Sequence, residues 1–213
     1  MDLMQIIHHR VNNISQLNQI PFNHGVEVDV RYHQDHLILN HDPFNHHKNQ
    51  ETNFNDFLSK FKCKGPLILN LKSEGIEQAC INYMDKHKVK NWFFLDMSIP
   101  LLIQYSNKAY QKISKGICPD NLAVRFSDKE PIEFALSFKG KVGWVWIDYF
   151  SILPFKKDTF SKLKKAKFKI CIVSPEIQKN PFIDSLKFLK ICENFEIDAV
   201  CTKDPDIWKN FKA

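Results

Sequence analysis

The sequence predicts an α/β fold of parallel strands, a compact (β/α)8 TIM barrel with a short first crossover, and three observations predict it. Short β-rich runs alternate with longer helix-like stretches from end to end. The runs are almost continuously apolar, as strands covered on both faces are. Eight such units follow one another, the number that closes a parallel sheet on itself. The chain has 213 residues, below the roughly 250 typical of such barrels, so its loops must be short. A doubly wound open sheet is the competing arrangement. One domain over residues 1–213 is expected, because no repeat, low-complexity tract or linker interrupts the alternation.

Strands are read at 5–9, 26–32 with a paired segment at 37–40, 67–72, 92–96, 122–126, 144–148, 169–173 and 199–202. They are rich in β-branched and aromatic residues and bounded by Pro, Gly, Asn or Asp. Helices are read at 74–87, where Ile76, Cys80, Ile81 and Met84 share a face, and at 100–113, 131–138, 159–165 and 181–194. Several carry Pro near the first turn, where its missing N–H costs nothing. The first crossover, 11–25, is too short for a full helix and is the weakest unit.

Composition narrows the function classes. Apolar residues at 44% and charged residues at 25% give a globular rather than a disordered balance. The net charge of +6 suits an anionic substrate but is too small an excess to indicate nucleic acid. The N-terminal stretch lacks a basic segment followed by an apolar one, and no apolar run reaches the ~18 residues of a membrane span. The six cysteines (Cys63, Cys80, Cys118, Cys171, Cys192, Cys201) form no C-x-x-C pair. They read as reduced, mostly buried thiols of a cytoplasmic protein, and the paired ligands of a zinc site are missing.

Polar residues fall at the C-terminal side of each strand: His9-Arg10, Glu27/Asp29/Arg31, Asn70/Lys72, Asp96/Ser98, Arg125/Ser127, Asp148, Ser174/Glu176 and Thr202/Lys203. Parallel barrels build their sites at this face. Helix caps attract the same residue types, so Asp96, Ser98, Ser127 and Ser174 are assigned to capping or layer packing. In Val26-Glu27-Val28-Asp29-Val30-Arg31 the valines alternate with charges, so Glu27 and Asp29 share a face. Adjacent carboxylates repel unless a cation or proton compensates, and a hard divalent ion is one solution. A solvated edge strand is the other. His9-Arg10 sets a proton carrier beside a fixed cation suited to phosphate. His46 and His47 read as ordinary surface residues.

His9-Arg10, Glu27-x-Asp29 and His41-Asp42, in this order, resemble the glycerophosphodiester phosphodiesterases of the phosphatidylinositol phospholipase C-like superfamily. Leu69-Asn70-Leu71-Lys72 continues the match, and 198–205 looks like the family's closing strand. The resemblance implies that His9 and His41 are the general acid/base pair. It implies that Glu27 and Asp29, with Asn70, hold a divalent ion, Mg or Ca, and that Arg10 and Lys72 bind the substrate phosphate. Three departures stand out. Val11 replaces the family's Gly after His-Arg, in a rebuilt crossover. Asn70 stands where a third acidic ligand is usual, with Glu74 four residues on opening the next helix or compensating. The segment 44–66 is too short for the usual inserted cap, which leaves an open site. Sphingomyelinase D-like enzymes share this two-histidine, Glu-x-Asp logic, but their disulfide-stapled character is not apparent here.

Two features are set aside. Lys156–Lys169 is lysine-rich, yet Phe160, Leu163 and Phe168 give it an inward face, so a solvated outer helix is expected. Trp144 and Trp146 read as barrel core. The expected activity is metal-assisted hydrolysis of a phosphoric diester, small molecule, lipid headgroup or glycan-linked, or its cleavage by a hydroxyl of the substrate itself. A phosphate-binding barrel without turnover is a second reading. A third is a transferase acting on a phosphodiester-linked glycan or nucleotide-activated precursor.

Overall fold

The computed structural model describes residues 4–42, 51–113, 116–178, 184–209 and 211, with the side chains of 112 and 113 excepted. Strand β2 (Gly25–His33) shows how the alternation is used. Val26, Val28 and Val30 are fully buried in the layer between strands and helices, beside Phe54, Phe57, Cys80 and Ile81. Glu27, Asp29 and Arg31 therefore face the opposite way, into the barrel. A strand whose charged face points inward is an unusual use of a period-two pattern, and it fixes where the site lies.

The strands are β1 (Gln5–His8), β2, β3 (His36–Leu39), β4 (Thr52–Asn53), β5 (Leu67–Leu71), β6 (Trp92–Leu95), β7 (Ala123–Phe126), β8 (Trp144–Ile147), β9 (Lys169–Val173) and β10 (Ala199–Thr202). Parallel ladders run β5-β2-β1-β10-β9-β8-β7, and β5 also pairs with β6. Among the described residues β6 and β7 meet through one parallel bridge, Phe94 to Leu122, rather than a ladder. The buried Asn121 side chain supports that seam by donating to the Trp92 carbonyl at 2.9 Å. The eight parallel strands thus follow a circular order, with β3 added antiparallel to the long end of β2 and β4 antiparallel to β3. This is the expected (β/α)8 barrel.

The helices are α1 (Ile14–Leu17), α2 (Phe54–Lys60), α3 (Glu77–Lys86), α4 (Ile99–Tyr105), α5 (Lys108–Ile113), α6 (Ile132–Ser137), α7 (Lys157–Lys165), α8 (Pro175–Gln178), α9 (Ser185–Cys192) and α10 (Pro205–Trp208). The four-residue α1 bears out the short first crossover. The helix read over 100–113 divides in two. Asn107 stops it, because its Oδ1 accepts from the Ala109 and Tyr110 amides and caps a new start. Helix α2 went unforeseen; Asn53 caps it through the Asn55 and Asp56 amides. Of the helix read at 181–194, residues 181–183 lie outside the described residues, as do His46 and His47. Phe160 and Leu163 are buried on α7, so the lysine-rich helix presents its charges to solvent.

Two apolar layers result. The outer one lies under the helices. The inner one fills the barrel with buried strand residues, among them Ile7, Ile68, Phe93, Trp144, Trp146 and Cys201, with Ile177 of α8 packed against it. Phe93 and Trp144 stack with ring centroids 4.7 Å apart. Both tryptophans are core, as expected, and each such ring contributes about 1.5–3 kcal/mol by leaving water. The inner layer is a plug, not a pore, and the polar strand ends sit on top of it. All six cysteines are unpaired. No helix among the described residues is long and apolar enough to cross a membrane.

Candidate active site

Parallel register sets the polar floor. β2 and β5 pair with Asp29 opposite Asn70, both inward, so the charges of β2 meet the polar end of β5. Asn70 Nδ2 donates to Glu27 Oε1 at 2.8 Å, and its Oδ1 accepts from Lys72 Nζ at 2.7 Å. The amide can face only one way, because an ammonium only donates and a carboxylate only accepts. Lys72 Nζ also lies 3.6 Å from Asp29 Oδ1.

From β1, the backbone turns at Arg10 with φ +55°, a left-handed conformation that a long side chain rarely adopts. The turn aims the Arg10 amide at Glu27 Oε2, 2.8 Å away. Just beyond, Asn12 forms a two-way clamp on Asp29: its Nδ2 donates to Oδ2 at 2.8 Å and its Oδ1 accepts from the Asp29 amide at 2.9 Å. Sequence reasoning passed over Asn12; the only signal was its place in the rebuilt crossover. Arg31 is a second brace. It donates to the carbonyls of Asn40, His41 and Lys72 and so ties the His41 loop to the end of β5.

The guanidinium of Arg10 donates to His41 Nε2. Arg has no acceptor, so His41 carries its proton on Nδ1, which donates to Asp42 at 2.7 Å. A carboxylate fixing one ring nitrogen while the other faces the site is how a general acid/base imidazole is oriented. His9 Nε2 lies 3.9 Å from Glu27 Oε2, and its Nδ1 is buried without a hydrogen-bond partner. Burial, reinforced by the charges of Arg10 and Lys203, pushes His9 down to about 3, so it is neutral at pH 7. Burial and the Asp29 charge push Glu27 up to about 7. The structure thus brings His9, Arg10, Glu27, Asp29, His41, Asn70 and Lys72 together at one end of the barrel.

The implied divalent ion would meet a partial set of donors. Among the described residues no group of three or more His, Cys, Asp or Glu side chains has metal-holding geometry. Asn70 turns its oxygen to Lys72 and its amino group to Glu27, so it offers the pair no third oxygen. Asp29 Oδ1 is buried and without a hydrogen-bond partner, beside the buried carboxylate of Glu27. Two such carboxylates fit the way magnesium is commonly held, by one or two carboxylates completed by a substrate phosphate. Glu74 is exposed and takes no part; α3 starts three residues later.

Across the mouth lies a second ionic cluster. Arg125, from β7, pairs with Asp148 and with Asp96, and its Nε lies 3.7 Å from Glu130 Oε1. Asp96 has φ +60° and also lies 3.6 Å from Lys72 Nζ. Its expected capping role is corrected here. The carboxylate turns to Arg125 and Lys72 and leaves the N-cap position of α4 to Ser98, whose side chain makes no cap bond. Ser127 does serve its turn, accepting from the Lys129 and Glu130 amides. Ser174 accepts from Trp208 Nε1, 3.1 Å away, and donates to Glu176, which also receives the Thr202 hydroxyl. That last group joins the ends of β9 and β10.

No protein-family model matches the chain, and no curated protein matches it. Solved structures do. A glycerophosphodiester phosphodiesterase from Thermotoga maritima superposes with a TM-score of 0.71 at 15% identity, covering 100% of both chains. One from Agrobacterium tumefaciens gives 0.68 at 13% identity, with 97% of each chain covered. A glycerophosphoryl diester phosphodiesterase from Parabacteroides distasonis gives 0.65 at 9%, covering 97% of this chain and 85% of the other. At such identities the likeness is one of fold: this chain has the barrel of these phosphodiesterases over its length.

Proposed function

We propose that the chain is a phosphoric diester hydrolase of the glycerophosphodiester phosphodiesterase kind. One observation carries the reading: two histidines, two cations and two carboxylates from β1, β2, β5 and the turn after β3 gather through hydrogen bonds and close ionic contacts into one cluster above the barrel plug. Diester cleavage needs charge neutralised on the non-bridging oxygens, a positioned nucleophile and a protonated leaving oxygen. Arg10 and Lys72 supply the first. Arg10 offers paired N–H donors and Lys72 a point charge, and each is already poised against the carboxylates of β2.

His41 and His9 supply the proton transfers. His41 presents Nε2 toward Arg10, where the phosphate would sit, with its proton parked on Nδ1 against Asp42. His9 is neutral in the free protein because it is buried among cations. A bound dianionic or monoanionic phosphate offsets those cations and raises the imidazole's basicity toward the working range. Glu27 and Asp29 would hold a divalent ion, Mg or Ca, which when bound supplies Lewis-acid charge stabilisation on the phosphate.

Hydrolysis of bis(p-nitrophenyl) phosphate and of a panel of glycerophosphodiesters tests the reading, run with EDTA, Mg, Ca or Mn. We expect turnover that needs the metal and is abolished in His9→Ala and Glu27→Gln. Turnover indifferent to both substitutions would sink it. Phosphate binding that protects Lys72 from modification, without turnover of any diester, would favour a binding barrel instead.

A further inference from the structure

We propose that Asn12 is a positioning residue: by clamping one oxygen of Asp29 it leaves a single oxygen of that carboxylate for the divalent ion, and so selects magnesium over calcium. The inference rests on the diesterase reading, which puts an ion at Glu27 and Asp29, and it narrows two candidate ions to one.

The clamp fills a break in the sheet. Residues 27 and 29, two apart on a strand, turn their backbone groups to the same edge of β2. On that edge the Glu27 carbonyl still accepts from the Val11 amide at 2.9 Å, and the Asp29 carbonyl already accepts from the Asn40 amide at 3.0 Å. Between them the chain after β1 has turned away at Arg10 and the β3 ladder has not begun, so neither strand reaches the Asp29 N–H. Asn12 Oδ1 accepts from that N–H at 2.9 Å, and Asn12 Nδ2 donates to Asp29 Oδ2 at 2.8 Å. The pair of bonds needs an acceptor and a donor on one short side chain; an aspartate would accept the N–H but repel the carboxylate. Arg10 Nε lies 4.0 Å from the same Oδ2. The oxygen left over is Oδ1, buried, without a hydrogen-bond partner and 3.6 Å from Lys72 Nζ. A buried carboxylate oxygen left unsatisfied is costly, and such groups call for a reason.

The supply of free oxygens decides the ion. Calcium collects about six to eight oxygens and readily takes both oxygens of a carboxylate, whereas magnesium keeps several waters and needs only one or two carboxylates. A two-oxygen grip on Asp29 would require Oδ2 to give up Asn12. Glu27 is held in a similar manner, one oxygen by the Asn70 side chain and the other by the Arg10 backbone amide. Asn70 Oδ1 is spent on Lys72. The wall therefore offers few oxygens, fixed in direction, and leaves the remaining positions around an ion to water and phosphate. Those are the terms on which magnesium binds and calcium binds poorly.

The test is calorimetric titration of the full chain with magnesium chloride or calcium chloride, without substrate. Wild type should bind magnesium more tightly than calcium. Asn12→Ala should weaken magnesium by about tenfold or more and calcium by less, so that the ratio of the two dissociation constants moves toward calcium. Asn12→Asp keeps the shape and the acceptor for the Asp29 N–H, so it controls for a folding defect. It lacks the donor to Oδ2, and its ratio should move the same way. A merely structural role would weaken both ions in proportion and leave the ratio at its wild-type value, and that outcome overturns the proposal. So does a wild type that prefers calcium or binds neither ion. Because the titrations need no diester, absence of turnover sinks the diesterase reading while the ratio still judges the clamp. An unchanged ratio beside magnesium-dependent turnover in wild type sinks the clamp alone.

Discussion

The two halves of the barrel mouth solve the same electrostatic problem in opposite ways. On the β1–β2–β5 side, carboxylates and cations interleave, and hydrogen-bonding capacity is left over at His9 Nδ1 and Asp29 Oδ1. On the β6–β7–β8 side Arg125 gathers three carboxylates around itself, and Lys72 reaches only the outermost of them, Asp96. The first half is loosely compensated and can change partners when an anion arrives. The second is locked about one side chain, with a lone unsatisfied oxygen at its centre. The difference sets an exchangeable half against a locked one. It also predicts that substitutions in the two will be felt in different measurements.

The largest effects should be on rate. His9→Ala and His41→Ala each remove one proton carrier, and turnover of a small diester should fall by about 10²–10⁴-fold. Melting temperature should change little, because His9 already leaves Nδ1 unbonded and His41 is half exposed. A fall of rate and stability together would mean that these histidines hold the mouth in shape, and the division of labour would collapse.

Arg125→Met should do the reverse. It leaves the buried Asp148 carboxylate and Asp96 without their cation, and stability should fall by about 3 kcal/mol, read as a shifted urea midpoint. Lys72→Met should cost less, about 1 kcal/mol, since Arg10 and a proton on Glu27 remain to balance the β2 carboxylates. Its effect should show in turnover instead. Equal losses of stability at Arg125 and Lys72 would erase the contrast between a locked half and an exchangeable one.

A third, smaller effect separates the halves by cation binding. With magnesium at ten times its dissociation constant, stability should rise by about 1.4 kcal/mol. The rise should be larger with inorganic phosphate present, since two carboxylates leave much of the coordination to the ligand. Asp29→Asn should remove it and Asp96→Asn should not. Retention in Asp29→Asn would move the ion to the other half.

The same contrast explains what was legible in the sequence. The alternation Val26-Glu27-Val28-Asp29-Val30 displays both the strand and its charged face, since apolar burial and charge repeat with the same period. The His9-Arg10 and His41-Asp42 pairs stand next to one another in the chain, so the first half reads as a motif. Asp96, Arg125 and Asp148 come from three strands, and only the parallel register and the φ +60° turn at Asp96 bring them to one guanidinium. Asp96 alone reads as a helix cap, and Arg125 and Asp148 as isolated polar strand ends. Asn12 was hidden in the same way, because a reciprocal clamp on Asp29, seventeen residues on, leaves no local pattern. Asn107 and Asn53 end and start helices through side-chain bonds that outweigh an otherwise helical or featureless run.

The smallest effect is a histidine pH slope, and among the described residues of the mouth it comes from the β1–β2 wall. His8 lies on β1 next to His9 but on the outer side of the wall, where its Nε2 shares a hydrogen bond of 2.9 Å with His24 Nδ1. One ring must donate and the other accept, so protonating both breaks the bond. Burial, then the charge of His24, pushes His8 down to about 4. A histidine whose folded value is depressed contributes stability that is full above its unfolded value of about 6.5 and is lost as pH falls through the folded one. Because His8 is only half buried, about 1 kcal/mol is expected between pH 6.5 and 4. Urea midpoints at pH 7, 5.5 and 4.5 should show that loss in wild type, and in His8→Gln it should shrink by about that amount. His9 has the same sign; its loss begins at the same pH, about 6.5, and runs on to its lower folded value of about 3, so it remains in His8→Gln. No histidine sits at the described ends of β6, β7 or β8. An unchanged slope in His8→Gln would place the acid sensitivity outside the β1–β2 wall and break the comparison at its weakest joint.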